Sequence, residues 1–424
     1  MMGDGGVTHD VCLRLLKREI AMATGCTEPA AVAFAAANAS FDLGEKVNRL
    51  QVSVSEEFYR NGLNVGVPGA NGLKGLDVAA ALGAVIADPG RKLAVLENIG
   101  EAELEASRQI EVSVEHVRDI DSVYVCVKAF GNNSESEAIL RGYHDRIVRR
   151  SLNGQVIYEE DMARADGVSE CEDITIWDAI DFSNNVDVDA IYDLKKIIDV
   201  NGAIAAEGLK NNYGISVGKK LSQGMGDIWI TGSVASEAIA TTAAAADARM
   251  AGCQMPVMSV AGSGNQGLTA TLPVIVTAKR FGLDEEATLR VLAMSTLIAI
   301  HTKRYVGRLS ALCGCGISAA MGACAAITSI LGGGKNEINL AINTLSADVA
   351  GMICDGAKPG CALKIATCVN AAFQAAVLAI NNTGATAQDG IVCDDAEYTL
   401  GNIGELSKKA FANANGLILD MLKK

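Results

Sequence analysis

A stretch of 26 residues without a charge, LSALCGCGISAAMGACAAITSILGGG from Leu309 to Gly334, constrains the fold more than any other feature of this sequence. Its length would suffice to span a bilayer. However, it consists mainly of Gly, Ala, Ser and Cys and contains few Leu, Ile or Phe residues. Small side chains let a helix approach its neighbours closely. We therefore predict a helix buried at the centre of a large helical domain, and no membrane span.

The composition also favours a core of closely packed helices. Hydrophobic residues make up 50% of the 424 residues but aromatic residues only 4%, so the core consists mainly of Ala, Val, Ile and Leu. The formal charge of −14, without a basic stripe that carries interleaved aromatics, argues against a nucleic-acid partner. The N-terminal MMGDGGVTHDVCLRLLKRE lacks the apolar segment of a secretory signal, which predicts a cytoplasmic protein.

Hydrophobic periodicity and turn signals predict an α+β fold with a small antiparallel or mixed sheet and a large all-helical part. Alternating apolar residues around Asn61-Gly62 and Asn153-Gly154 are typical of two hairpins, and GLDVAAALGAVIAD predicts a helix against the sheet. We predict N-terminal helices that pack on the helical domain (1–44), an α+β domain (45–190) and an all-helical catalytic domain (191–424).

Four of the 12 cysteines stand out by their spacing, two in LCGCG (Cys313 and Cys315) and two in CDGAKPGC (Cys354 and Cys361). Both loops contain glycine and precede apolar helices, the second of which is predicted to begin at or just after Cys361. Thiolates bind soft or borderline metals, and helix N-termini favour negative charge. The pattern is compatible with a four-cysteine zinc site, an iron–sulfur cluster or thiols that only pack. A disulfide framework is not expected in a reducing compartment.

Cys26, in TGCTEPAAVAF, lies just before another predicted helix. Thr27 is a candidate N-cap, and Pro29 suits the first turn. Because a helix N-terminus favours a thiolate, Cys26 is a candidate base or nucleophile. The alternative is a small loop residue without a chemical role.

The segment GSGNQG from Gly262 to Gly267 formally matches a dinucleotide-binding fingerprint. It lacks the parallel βαβ unit and the acidic residue that this fingerprint requires, and Pro273 is expected to interrupt the helix that follows. We predict instead that backbone amides and the side chains of Ser263 and Asn265 hold a small anion such as an amino-acid carboxylate.

Two further sets of basic residues are candidates for substrate binding. VPGANGLKGLD places Lys74 before Asp77, either near a substrate carboxylate or in a simple strand-to-helix connection. HTKRYV places His301, Lys303 and Arg304 shortly before LCGCG, where they bind substrate or end the preceding helix.

TGCTEP, VPGANGLKGLD, AGSGNQG, LCGCG and CDGAKPGC, in that order, resemble the L-cysteine desulfidase family, which is related to the α region of iron–sulfur-dependent L-serine dehydratases. The resemblance covers nearly the whole chain. It implies a [4Fe–4S] cluster with three cysteine ligands and one open iron, and no pyridoxal phosphate. Cys354 and Cys361 match two ligands, and either Cys313 or Cys315 matches the third, with Cys313 slightly favoured. Cys26 matches the base proposed for the family.

The resemblance implies β-elimination of L-cysteine to pyruvate, ammonia and sulfide. Cys26 would remove the α-proton while Ser263 and Asn265 orient the carboxylate. L-serine dehydration is the nearest alternative, but serine dehydratases carry a histidine in a G-H-x-T-D turn where this chain has Lys74. A zinc-stabilised or metal-free protein that binds a small metabolite is the alternative from another class. The expected partner is a small amino acid, and a homo-oligomer is compatible with the sequence.

Overall fold

The computed structural model describes residues 4–160 and 174–422. The fold is α+β, as predicted, with one mixed sheet and a large helical part. In the described ranges, two 3₁₀ segments (Pro89–Ala94 and Val188–Leu194) and two π-helical turns (Cys315–Ala319 and Leu406–Ala410) accompany the α-helices. The α-helices in chain order are α1 Asp4–Glu19, α2 Thr27–Leu43, α3 Glu56–Gly62, α4 Leu76–Ile86, α5 Glu101–Ser107, α6 Ile176–Asn185, α7 Lys195–Lys210, α8 Val217–Gln223, α9 Val234–Met250, α10 Gly264–Phe281, α11 Glu285–Val306, α12 Ala320–Ile330, α13 Lys335–Val349, α14 Cys361–Ile380, α15 Ala396–Glu405 and α16 Ala414–Leu422.

Six strands form the larger sheet in the order β3-β2-β4-β5-β6-β7. Strands β2 and β3 are parallel and the other neighbours are antiparallel, so the sheet is mixed. The predicted hairpin at Asn153-Gly154 joins β6 and β7. The strands are β2 Arg49–Ser55, β3 Glu111–Val117, β4 Tyr124–Phe130, β5 Glu135–Arg141, β6 Ile147–Leu152 and β7 Gln155–Glu159.

The predicted hairpin at Asn61-Gly62 is wrong, because these residues end helix α3. Ser55 caps this helix by accepting a hydrogen bond from the backbone N–H of Phe58, and two glutamates occupy the first turn. Both features stabilise a helix N-terminus and outweigh the alternating pattern.

A second, two-stranded sheet joins distant parts of the chain. Strand β1 (Ile20–Thr24) pairs antiparallel with strand β8 (Pro256–Val260), and neither strand was predicted. Helix α10 then continues through Pro273, contrary to our expectation. Proline withholds one backbone hydrogen bond, and the buried packing of α10 outweighs that loss.

The two N-terminal helices pack on different parts of the molecule. Helix α1 contacts α6 and α11 of the helical part. Helix α2, which we also expected there, lies instead against α4 and strands β4 and β5. Its alanine-rich surface is buried in the core beneath the sheet.

The contact between α2 and α4 depends on Gly83. A Cβ atom at this position would lie 2.1 Å from the carbonyl oxygen of Ala33. Because that oxygen belongs to the backbone, we expect Gly83→Ala to lower the free energy of unfolding by about 2 kcal/mol. Gly202→Ala is the matched control, since a Cβ on this helical glycine meets no atom within 4 Å. Denaturant melts of both variants test this, and equal stability would contradict the close packing.

The uncharged stretch is buried over most of its length, as predicted: residues 311–328 are buried except for the half-buried Cys315, whereas Gly332 and Gly334 at its end are exposed. It forms the π-helical turn Cys315–Ala319 and helix α12, which pack against α10, α11, α13 and α14. Among the described residues, Cys361–Ile380 is long and apolar enough to cross a membrane, with a mean hydropathy of 1.6. Half of that helix is buried inside the protein, and a core helix meets the same criterion of length and composition.

Candidate active site

One cavity brings together residues from distant parts of the sequence. Its walls come from the start of α2, the start of α10, the LCGCG loop and the CDGAKPGC loop. The cavity encloses about 70 Å³, room for about two water molecules, so side chains must shift to admit a substrate. Seven of the eight predicted site residues line it: Cys26, Ser263, Asn265, Cys313, Cys315, Cys354 and Cys361.

The two cysteine loops are held together by a short antiparallel backbone bridge. The N–H of Cys313 donates to the carbonyl of Met352 over 2.8 Å. The N–H of Cys354 donates to the carbonyl of Ala311 over 2.7 Å. These two bonds fix LCGCG beside CDGAKPGC, although about 40 residues of helix and turn separate the loops in sequence.

The CDGAKPGC loop is also fixed to helix α3. The ammonium of Lys358 donates to the carbonyls of Arg60 (3.1 Å) and Leu63 (2.6 Å). Gly356 has a φ of +95°, and a Cβ there would lie 2.5 Å from the carbonyl oxygen of Arg60. Only glycine fits this position. The segment that we predicted as a hairpin therefore anchors the loop that carries two of the thiols.

The four thiols influence one another electrostatically. The thiol of Cys315 and the N–H of Gly316 donate hydrogen bonds to the sulfur of Cys313, and these bonds lower the pKa of Cys313 to about 6. Burial, with a smaller effect of negative neighbours, raises the pKa of Cys354 and raises that of Cys361 to about 12. The hydrogen bond to Cys313 and burial raise the pKa of Cys315. The cluster of thiols thus holds one readily formed thiolate.

Buried cations surround these thiols. Arg60 is fully buried and donates to the carbonyl of Ser310, and Lys303 is only 5% exposed, with its ammonium against Gly314. Within residues 4–160 and 174–422, neither cation forms an ion pair with a carboxylate. A buried charge without a counter-charge is costly. Both positive charges are therefore available to negative sulfur or to an anionic ligand.

Cys26 is the N-cap residue of α2 and forms a hydrogen-bonded pair with Glu28. Its thiol donates to Glu28 Oε2 over 2.9 Å, and Asn61 Nδ2 donates to Glu28 Oε1 over 2.8 Å. Burial and the carboxylate of Glu28 raise the pKa of Cys26. We expected the helix N-terminus to favour a thiolate, but these two effects outweigh it. Burial opposes the ionisation of Glu28, but the positive charge of His144, when that ring is protonated, and hydrogen bonds from Cys26 and Asn61 lower its pKa.

The predicted anion loop begins helix α10. The hydroxyl of Ser263 caps the helix by accepting from the N–H of Gln266 over 3.4 Å. Asn265 is 3% exposed, and its Oδ1 has no hydrogen-bond partner among the described residues. Of the two predicted polar groups, the amide oxygen of Asn265 is therefore the one available to a ligand.

Lys74 lies away from the cavity. Its backbone forms an isolated bridge with Gly66, and its side chain lines a separate pocket with Asp77 beside strand β3. The side chain is exposed. Lys74 therefore lies in the turn that connects helix α3 to helix α4, and not in the strand-to-helix connection that was the alternative.

The three candidate residues before LCGCG, His301, Lys303 and Arg304, lie in different environments. His301 is bonded to Glu397 in the helical core, and Arg304 is exposed. Lys303 alone of the three lies beside the cysteine loops, where burial lowers the pKa of its ammonium and negative charge on Cys315 or Cys354 opposes that effect.

Several residues of the cavity were not predicted, among them Glu28, Asn61, Arg249 and Lys364. Glu28 had a signal in the sequence, since it is the single charge at the start of an alanine-rich helix. Arg249 likewise ends the alanine-rich helix α9. Charged side chains are almost never fully buried unless they are paired, so a buried charge on an alanine-rich helix indicates that it has a partner or a ligand.

His144 is a further buried group close to the cavity. Its ring lies 5.5 Å from that of Phe58, and a Cβ on Gly262 would lie 3.1 Å from its Nδ1. Neither ring nitrogen has a hydrogen-bond partner among the described residues. Burial lowers the pKa of His144 to about 4, so the ring is neutral at pH 7.

We expect His144 to make the protein sensitive to acid. The unfolded chain takes up this proton near pH 6.5 and the folded chain only near pH 4. The free energy of unfolding therefore falls as the pH decreases through this window, by up to about 3 kcal/mol. His144→Asn is expected to remove that slope in melts between pH 6.5 and 4. His9→Asn is the control and should retain it.

Comparison with known proteins identifies the family. The profile of the serine dehydratase alpha chain matches residues 90–420. The chain belongs to the serine dehydratase alpha-chain family. Similar full-length relatives are a "UPF0597 protein" of Oleidesulfovibrio alaskensis (40% identical over 415 residues, 96% of each chain), one of Clostridium perfringens (38% over 419 residues, 98% of each) and one of Parabacteroides distasonis (35% over 416 residues, 96% of each).

The region matched to the serine dehydratase alpha chain contains Ser263, Asn265 and the four clustered cysteines. Cys26 and Glu28 precede it, whereas the full-length relatives cover nearly all of the chain. The cavity therefore combines the part shared with serine dehydratase alpha chains and an N-terminal part that this profile does not match.

Proposed function

We propose that the protein is an iron–sulfur-dependent lyase that eliminates the thiol of L-cysteine, giving pyruvate, ammonia and sulfide. Membership of the serine dehydratase alpha-chain family supports a dehydratase-type lyase. The observation that carries the proposal is the convergence of Cys26, the amide of Asn265 and four cysteine thiols on one cavity. We further propose that the enzyme is cytoplasmic and needs no pyridoxal phosphate.

The donor chemistry of the cavity fits an iron–sulfur cluster. Cys354, Cys361 and Cys313 would hold it, with the buried charges of Arg60 and Lys303 offsetting its negative charge. In the described part of the chain, no three His, Cys, Asp or Glu side chains are grouped so as to hold one metal ion. When bound, a cluster with an open iron supplies a Lewis acid for the substrate carboxylate and β-substituent.

Cys26 and Glu28 would act together as the base. The pair carries one negative charge, which resides on oxygen while the thiol keeps its proton. Transfer of the thiol proton to Glu28 Oε2 along their 2.9 Å hydrogen bond leaves a thiolate, and this thiolate then takes the α-proton of the substrate. The hydrogen bond from Asn61 keeps the carboxylate of Glu28 oriented throughout.

Loss of the α-proton and of the β-thiol gives 2-aminoacrylate and sulfide. Aminoacrylate tautomerises to an imine, and water hydrolyses the imine to pyruvate and ammonia. Neither later step requires a further side chain. The task of the site is therefore to bind the amino acid, orient its Cα–H bond toward Cys26 and exclude water.

The test is anaerobic purification followed by measurement of iron, acid-labile sulfide and the visible spectrum, and then of pyruvate from L-cysteine and from L-serine. About four irons per chain with pyruvate and sulfide from L-cysteine are the expected result. Pyruvate from L-serine alone would identify a serine dehydratase, which the family description favours as the second candidate. Stoichiometric zinc with no pyruvate from either amino acid would refute the proposal.

A further inference from the structure

Arg249 is a buried guanidinium without a counter-charge. It is 2% exposed at the end of α9, and within residues 4–160 and 174–422 it forms no ion pair. Its Nε has no hydrogen-bond partner there, and its one hydrogen bond is a long contact of 3.4 Å from Nη2 to Thr27 Oγ1. Burying a charge in this way is unfavourable, because the charge loses its hydration without gaining a counter-charge. A bound anion would offset that cost.

The guanidinium lies on the wall of the candidate active site. Arg249 lines the cavity together with Asn265 and Cys26, and its charge acts on the thiol of Cys26. Gly264 makes room for it, because a Cβ there would lie 2.3 Å from Arg249 Nε. A glycine at the first position of α10 thus lets the guanidinium reach the helix start.

The free donors and acceptors match the two charged ends of an α-amino acid. Among the residues that the structure describes, Arg249 Nε is a donor without an acceptor, and Asn265 Oδ1 is an acceptor without a donor. A carboxylate satisfies an arginine through charge-assisted hydrogen bonds, and an ammonium group donates to an amide oxygen. The hydroxyl of Ser263 is already engaged in capping α10.

From this we infer that Arg249 binds the α-carboxylate of the substrate, while Asn265 accepts a hydrogen bond from its α-ammonium group. The inference rests on the proposed function in that the ligand is an amino acid, and it adds the residue that selects a free carboxylate. The site therefore accepts α-amino acids and rejects their amides and esters.

The experiment measures binding of L-alanine, which has no β-leaving group, and of L-alaninamide to the full-length, anaerobically purified protein. Isothermal titration is expected to show L-alanine bound at least about 100-fold more tightly than the amide. In Arg249→Met this preference falls to within a few-fold, and Arg249→Lys restores part of it. Arg280→Lys, an exposed arginine paired with Glu237, is the control and keeps the full preference.

Gly264→Ala is a second variant, which keeps the arginine but displaces its guanidinium, and it should also lose the preference. If Arg249→Met or Gly264→Ala folds, as judged by circular dichroism, and still prefers L-alanine 100-fold, the inference is overturned. Pyruvate formation separates the two proposals. Turnover of L-cysteine with an unchanged KM in Arg249→Met refutes the carboxylate site alone, whereas selective binding of L-alanine through Arg249 without any turnover refutes the lyase alone.

Discussion

Cys354→Ala and Cys361→Ala are each expected to lose bound iron and pyruvate formation together. Both thiols line the cavity from one loop, and each variant leaves only two of the three proposed ligands, Cys313, Cys354 and Cys361, for the cluster. We expect iron to fall from about four per chain to below about one, and the rate of pyruvate formation to fall at least about 100-fold. Iron, acid-labile sulfide and absorbance of the anaerobically purified variants measure the first effect.

Cys324→Ala is the matched control for these variants. Cys324 is as deeply buried as any cysteine in the described residues, but it lies on α12 away from the cavity. It should keep its iron and its activity, at a cost of about 1 kcal/mol in stability. If Cys354→Ala and Cys361→Ala retained four irons, these residues would be packing thiols.

The LCGCG pair allows a finer version of the same experiment. Of the four thiols, Cys313 is the one whose pKa is lowered, because the hydrogen bond from the thiol of Cys315 stabilises its thiolate. We therefore expect Cys313→Ala to lose iron and Cys315→Ala to retain most of it. Loss of the metal in both variants would indicate a site closed by four thiolates, as structural zinc requires.

The parts of the fold that were predicted from the sequence are those with local signals. Glycine and proline in CDGAKPGC, followed by an apolar run, correctly predicted a helix from Cys361, and Asn153-Gly154 correctly predicted a hairpin. Strands β1 and β8 have five residues each and pair across more than 230 positions of sequence. No local pattern identifies such a pair, because its stability comes from tertiary contacts.

The residues of the candidate site were likewise predicted only in part from the sequence. Spacing singled out the four thiols, and its position just before a predicted helix singled out Cys26. Arg249 was missed because only the crossing of α9 and α10 brings it to the cavity. Lys74 was included because one glycine-rich turn resembles another in sequence, whereas their positions depend on the neighbouring backbone.

Cys26→Ala is expected to keep the cluster and lose turnover. The residue lines the cavity but is separate in sequence from the four clustered thiols, so iron content should remain near that of the wild type. Loss of a general base should lower kcat by about 100- to 10,000-fold. Cys126→Ala is a close control, because the thiol of Cys126 also points to a glutamate, Glu137, at 3.7 Å on the sheet. It should have unchanged kcat, and a fully active Cys26→Ala would remove the assignment of the base.

The variant Glu28→Gln then distinguishes two models of the base: a Cys26–Glu28 pair that shares one proton, and a Cys26 thiolate that acts alone. The carboxylate of Glu28 raises the pKa of Cys26, so removing its charge makes the thiolate form more readily. If the thiolate acts alone, Glu28→Gln should retain turnover and move the acid limb of the pH–rate profile to lower pH. If the pair shares one proton, as we expect, the amide has no site for it, and kcat should fall about 100-fold at every pH. Iron content near that of the wild type would show that this loss arises at the base and not at the thiols.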